Sequence, residues 1–135
     1  MNRPTFEQIY MNLALELSKR STCNRLQVGA VLTTIDFRQV ISLGYNGNYN
    51  GGPHQCDSEV PGQCGCLHAE DNCIINCNIP RHIDKYLFVT TIPCKMCAKR
   101  IINLGNVKKI FYKNDYRLCE GLDLLQCNNV KVIKL

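Results

Sequence analysis

At 135 residues the chain has room for one domain, 1–135, and hydrophobic residues at 45% with charged residues at 20% are ordinary for a soluble globular protein. Sixteen Lys and Arg against 11 acids leave a net charge of +5 with the basic residues scattered, so no nucleic-acid face is required. The apolar runs fall short of the roughly 18 residues of a membrane span and the first residues lack a signal core. The ten cysteines are therefore read as reduced thiols of a cytoplasmic protein.

In chain order, Thr5 to Gln8 reads as a capping box, after which Phe6, Ile9, Tyr10, Leu13 and Leu17 follow at helical spacing to about Arg20. Val28 to Thr33 and Gln39 to Leu43 are apolar, β-branched segments joined as a hairpin. Gly44 to Leu67 carries six of the nine glycines, three asparagines and two prolines, a long functional loop with too little apolar content to order itself. His68 to about Asn78 is expected to be helical, with Cys73 and Cys77 as packing residues. Tyr86 to Thr91 reads as a strand, and Pro93 as the first residue of a helix to about Leu104. Val107 to Tyr112, Tyr116 to about Gln126 and Val130 to Leu135 read as strand, helix and strand, with Cys119 and Cys127 structural. The order α-β-β-α-β-α-β-α-β implies an α/β fold in three layers, a mixed sheet with helices on both faces.

The chemistry gathers in His68-Ala69-Glu70 and, 23 residues after Glu70, Pro93-Cys94-Lys95-Met96-Cys97. One imidazole and two thiols (His68, Cys94, Cys97) leave the fourth tetrahedral position of Zn2+ open, the pattern of a catalytic site. Residues i and i+2 point to opposite sides mid-helix, so His68 and Glu70 share a pocket only if His68 starts its helix. Two helix N-termini then converge, and their partial positive charge, with the ion's, favours thiolates. Glu70 is not needed as a ligand. A carboxylate there can shuttle protons, whereas a non-catalytic zinc-stapled binding module would have no use for it. His54, Cys56, Cys64 and Cys66, with Cys23, are candidates for a second metal site. Cys-x-Cys is a poorer ligand spacing than Cys-x-x-Cys, and packed or exposed thiols are the simpler reading, with one catalytic zinc per chain.

The pair H-x-E and P-C-x-x-C is the signature of zinc nucleobase deaminases. Over nearly its whole length the chain resembles the deoxycytidylate (dCMP) deaminases of the cytidine deaminase superfamily. Ser21 to Val31 is similar to that family's first substrate loop and strand, and Gly44-Tyr45-Asn46-Gly47 to its Gly-Tyr-Asn-Gly motif. Cys66 to Asn72 is similar to its zinc and acid/base segment, and Asp115-Tyr116-Arg117 to the segment after its fourth strand.

The resemblance implies a cytidine-deaminase-like fold with a five-stranded sheet, and hydrolysis of dCMP to dUMP with release of ammonia. It implies that Asn24, Arg25 and Gln27, followed by Gly29 and Ala30, meet the substrate and its 5′-phosphate. Asn46 would hold the sugar or phosphate, and the Ala69 backbone the pyrimidine edge. Many members are activated by dCTP and inhibited by dTTP. Tyr45, Gly47, Asn48, Asn50 and Gly51 are the implied effector residues, with Mg2+ accompanying the triphosphate. Tyr116 and Arg117 would complete that site across an interface of a homo-oligomer, a hexamer built from dimers. Some members hold a second zinc with histidines from an insertion that this chain lacks; Cys23 and Cys56 echo its two cysteines. Two relatives remain as alternatives. A tRNA adenosine deaminase should be more basic, and a free-nucleoside cytidine deaminase usually has Cys in place of His68.

Overall fold

The structure, a computed structural model, describes residues 2–56, 58–60 and 64–135. Among these, the chain forms α1 (Phe6–Ser18), β1 (Gly29–Thr34), β2 (Val40–Tyr45), α2 (Ala69–Ile75), β3 (Lys85–Thr91), α3 (Lys95–Leu104), β4 (Val107–Asn114), α4 (Glu120–Cys127) and β5 (Lys131–Lys134). The predicted order is the observed one. The five strands form one mixed sheet in the order β2-β1-β3-β4-β5, with β1 antiparallel to both neighbours and β3, β4 and β5 parallel.

Alternation along the strands builds two apolar layers. Ala30, Leu32, Leu87, Val89, Ile110 and Tyr112 point to the face covered by α2, α3 and α4. Val31, Phe88 and Phe111 point to the other, where α1 brings Met11 and Ala14. Phe88 and Phe111 stack with ring centroids 4.7 Å apart, and Tyr10 leans on Phe88 at 5.5 Å. α1 begins at the expected capping box: Gln8 N–H donates to Thr5 Oγ1 at 3.1 Å, and Thr5 N–H donates to Gln8 Oε1 at 2.9 Å. Close contact with β1 depends on Gly29, where a Cβ would lie 1.9 Å from the Ala14 carbonyl oxygen.

Helix boundaries differ from the sequence reading chiefly at three ends. Pro93 is not the first helical residue: Cys94 is the N-cap and α3 starts at Lys95. α4 starts at Glu120 rather than Tyr116, leaving Tyr116 and Arg117 in the segment leading to it. α2 stops at Ile75, short of the expected Asn78. Local propensity does not resolve such ends; the groups that satisfy the terminal backbone do.

Lys85 is fully buried, with Nζ donating to the carbonyls of Arg81 (3.1 Å), Ile83 (2.8 Å) and Gly105 (2.8 Å). It closes the turn after α3 and anchors the loop entering β3. Lys85→Met should strand those carbonyls and destabilise the fold by about 3 kcal/mol, the scale of charged hydrogen bonds lost in a buried site. Thermal unfolding checks this; a melting temperature within a degree of the parent would contradict it.

Candidate active site

The site forms where α2 and α3 begin, at the carboxyl end of β3. His68 is the N-cap of α2 and Cys94 the N-cap of α3, both with extended backbone (φ −76° and −70°). That conformation swings each side chain around its helix end rather than along it. His68 Nδ1 lies 3.1 Å from Cys97 Sγ and 3.6 Å from Cys94 Sγ, and all three donor atoms fall within 4.8 Å of one another. Cys97 N–H donates to Cys94 Sγ at 3.5 Å. One borderline nitrogen and two sulfurs at this separation fit a tetrahedral Zn2+ with one position left over.

The three side chains shift one another's protonation. The Cys97 thiol, then His68, hydrogen-bond to Cys94 and hold it far below the usual thiol range, at about 3. Contact with Cys94 raises His68 to about 9. Cys97 is pushed up, first by Cys94 and then by burial. Glu70 is 5% exposed beside them, and burial pushes its carboxyl up to about 7. Glu70 is not within the group of metal-capable atoms formed by His68, Cys94 and Cys97.

The Gly-Tyr-Asn-Gly run holds this site from behind. At Gly44 a Cβ would lie 2.3 Å from the Ala69 carbonyl oxygen, so only glycine lets the first turn of α2 rest on β2. The Tyr45 carbonyl accepts from Asn72 Nδ2 at 2.8 Å. Asn46, buried, accepts from Val28 N–H at 2.8 Å and donates to the Leu26 carbonyl at 2.6 Å, fixing the loop ahead of β1. Gly47 pairs with Leu67 in an isolated antiparallel bridge that delivers the chain to His68. Asp71, which sequence reasoning did not single out, accepts from His68 N–H at 3.2 Å and pairs with Arg100 at 3.1 Å, joining α2 to α3. The His-x-x-Asp capping-box spacing was the signal for it. On the far side, α4 presses on the turn into α3; a Cβ at Gly121 would meet the Pro93 carbonyl oxygen at 2.1 Å.

A cavity of about 300 Å³ opens over these residues, lined by Asn46, His68, Ala69, Glu70 and Cys94 together with Leu26, Thr91, Ile92 and Tyr116. Of the implied substrate residues, Asn46 and Ala69 line it. Gly29 and Ala30 do not; they are buried in β1. Asn24, Arg25 and Gln27 are exposed on the loop whose Leu26 lines the cavity, and the Arg25 guanidinium donates to the Glu59 carbonyl. Tyr45, Gly47, Asn48, Asn50 and Gly51 instead line a separate hollow of about 610 Å³, with Arg20, Leu43, His54, Leu67 and Ile75. Tyr116 lies at the catalytic cavity and not in that hollow; the Arg117 guanidinium sits 5.8 Å from the Tyr116 ring centroid.

No helix of the described residues is long and apolar enough to cross a membrane. Residues 4–114 match the family model described as the cytidine and deoxycytidylate deaminase zinc-binding region. The chain is 36% identical to ComE operon protein 2 of Bacillus subtilis over 87% of its own length and 64% of that protein's. It is 33% identical to deoxycytidylate deaminase of Saccharomyces cerevisiae over 87% of its own length and 40% of that protein's. The chain thus spans between about two fifths and two thirds of these two curated relatives. A crystal structure of dCMP deaminase from the cyanophage S-TIM5, in complex with dCMP and dUMP, superposes with a TM-score of 0.86 at 32% identity, covering 100% of both chains. With a histidine and two cysteines brought to one point, a buried glutamate beside them and these likenesses, the chain belongs to the zinc-binding cytidine and deoxycytidylate deaminase family.

Proposed function

We propose that this chain hydrolyses dCMP to dUMP and ammonia. The observation that carries the reading is the buried Glu70 opening into the same cavity as His68 and Cys94, in a chain that matches the dCMP- and dUMP-bound cyanophage enzyme from end to end. His68, Cys94 and Cys97 are the residues that would hold zinc, one ion at this centre. Zinc so held supplies a Lewis acid and lowers the pKa of water towards 7. Glu70 takes a proton from the attacking water and passes it to the ring nitrogen beside the amidine carbon; it then takes the remaining proton of the new hydroxyl and gives it to the amine as the C–N bond breaks, leaving the carbonyl of dUMP and ammonia. The Ala69 backbone, at the head of α2, reads the polar edge of the pyrimidine, and Tyr116 gives the flat ring an aromatic wall. Asn46 holds the loop that meets the nucleotide and faces the sugar.

The 5′-phosphate belongs at the cavity mouth, on the side of Asn24, Arg25 and Gln27. Glu59 uses part of the Arg25 fork, and a guanidinium has five donors, so others remain for a phosphate. Deoxycytidine should therefore show a kcat/KM at least about 100-fold below that of dCMP, the scale of two charge-assisted hydrogen bonds. Arg25→Ala should weaken dCMP about tenfold and leave deoxycytidine unchanged. Equal use of the two substrates by the parent would refute the nucleotide reading.

The same reading includes regulation and assembly. The hollow behind Gly-Tyr-Asn-Gly combines Arg20 and the glycine- and asparagine-rich turn, whose backbone N–H groups suit a triphosphate, dCTP or dTTP, carrying Mg2+. Leu43, Leu67 and Ile75 are exposed at its edge, Ile75 by 69%, an apolar rim suited to a second copy in a dimer-built hexamer. Its placement away from Glu70 makes the effector act through the loop and α2 rather than by competition.

A further inference from the structure

Below His68 and Cys97, a second pair of side chains faces across from α2 to α3. Asp71 stands three residues after His68 and Arg100 three after Cys97, the spacing that brings side chains to one face of a helix. Asp71 Oδ1 and Arg100 Nη1 are 3.1 Å apart, as are His68 Nδ1 and Cys97 Sγ. The two helices are thus joined by two rungs one turn apart, metal-capable side chains at the heads and an ion pair below. We propose that Asp71 and Arg100 are positioning residues for the catalytic centre: their pair holds the heads of α2 and α3 at the spacing His68, Cys94 and Cys97 need for zinc. The inference rests on reading those three residues as the zinc ligands.

Asp71 works in two directions. Its Oδ2 accepts from His68 N–H at 3.2 Å, which pins the backbone from which the imidazole hangs. Its side chain is 13% exposed, and the buried Oδ1 accepts no hydrogen bond, so the Arg100 guanidinium is what answers its charge. A carboxylate in the first turn of α2 also suits the positive end of that helix. Arg100 comes from the second turn of α3 with 46% of its side chain exposed. An ion pair this open to water adds little to the stability of the fold, and what it supplies is geometry.

Neither side chain lines the catalytic cavity. Both line a separate hollow of about 480 Å³, with Leu67, Arg81 and Asn103, so they act through His68 and the head of α3 rather than on substrate. Arg81, another cation at that hollow, donates to the Asn103 carbonyl at 3.2 Å, near the far end of α3. The centre takes one ligand from the head of α2 and two from that of α3, so its fit depends on how far apart the two heads stand. Sites of this kind must hold their geometry to within about 0.5 Å. With the lower rung in place the ion meets a formed site; without it, binding the ion must also draw two helices together.

Competition with a chromophoric chelator tests the pair, the zinc followed being the zinc that Cys97→Ala lacks. Arg100→Met should hold that ion about tenfold more weakly, the lower end of what losing a partner of a metal ligand costs. Asp71→Asn keeps an acceptor for His68 N–H but loses the ion pair, and should weaken zinc equally. The double variant should be no weaker than either single one, since both remove the same contact. Arg100→Lys should recover part of the loss, and Arg81→Met, at the same hollow, should bind zinc as the parent does. With zinc saturating, KM for dCMP should match the parent's in every variant, and zinc-free Arg100→Met should melt within about two degrees of the zinc-free parent. A zinc-free melting temperature that falls much further makes the pair a support of the fold and overturns the proposal, as do losses that multiply in the double variant. Zinc lost from Cys97→Ala but held by Arg100→Met as tightly as by the parent overturns the pair and leaves the ligands standing. Zinc kept in full by Cys97→Ala overturns the ligands, and the pair with them.

Discussion

Glu70→Gln should lower dCMP turnover by about 10²- to 10⁴-fold while leaving the fold and the zinc content unchanged. The exchange keeps the size and shape of a side chain that is 5% exposed in a packed position, so neither a cavity nor a clash is introduced. It removes the one capacity the reaction needs there, which is to accept a proton at one step and donate it at another. Glutamine can hydrogen-bond the attacking water yet cannot take its proton. Burial raises the wild-type carboxyl, so removing it does not strip a favourable charge from the folded protein, and the melting temperature should hold or rise slightly. Turnover and zinc content measured on one preparation separate a lost shuttle from a lost metal. Turnover within a few-fold of the parent would sink the role given to Glu70 and, with it, the deamination mechanism.

Much of this site was legible in the residues. His68-Ala69-Glu70 and Pro93-Cys94-x-x-Cys97 carry it because zinc chemistry restricts ligand types and because i, i+2 spacing works only at a helix start. The element order was equally legible, since apolar alternation in Leu87 to Val89 and Ile110 to Tyr112 serves two buried faces at once. Three things were not legible. Asn46, read as a substrate residue, lines the cavity and also accepts from Val28 N–H and donates to the Leu26 carbonyl, a contact between elements that no local pattern records. Tyr116, read with the effector residues across an interface because it follows a strand, lines the catalytic cavity of its own chain, in the segment ahead of α4. The gathering of Cys23 with Cys56, Cys64 and Cys66 depends on how a long loop folds back, and loops are where sequence spacing says least about distance.

Cys97→Ala should abolish measurable turnover, and it should do so through the metal. Cys97 is fully buried at the first turn of α3, and alanine fits the same backbone, so the helix should form as before. What is lost is one of three ligands. Two cannot hold a divalent ion against water and buffer, and the fourth position was never the protein's to supply. His68→Ala should behave alike. Removing metal from the parent with a chelator should reproduce the loss, and restoration should follow ligand softness: Zn2+ returns activity and Mg2+ does not, because an imidazole and two thiolates favour the softer ion. The contrast with Glu70→Gln is the decisive part. Both variants are expected to lose most of their turnover, but only Cys97→Ala should lack the ion at the catalytic centre, whereas Glu70→Gln should keep it. If Cys97→Ala retains full metal and turns over dCMP, the three residues at the heads of α2 and α3 are not the catalytic centre.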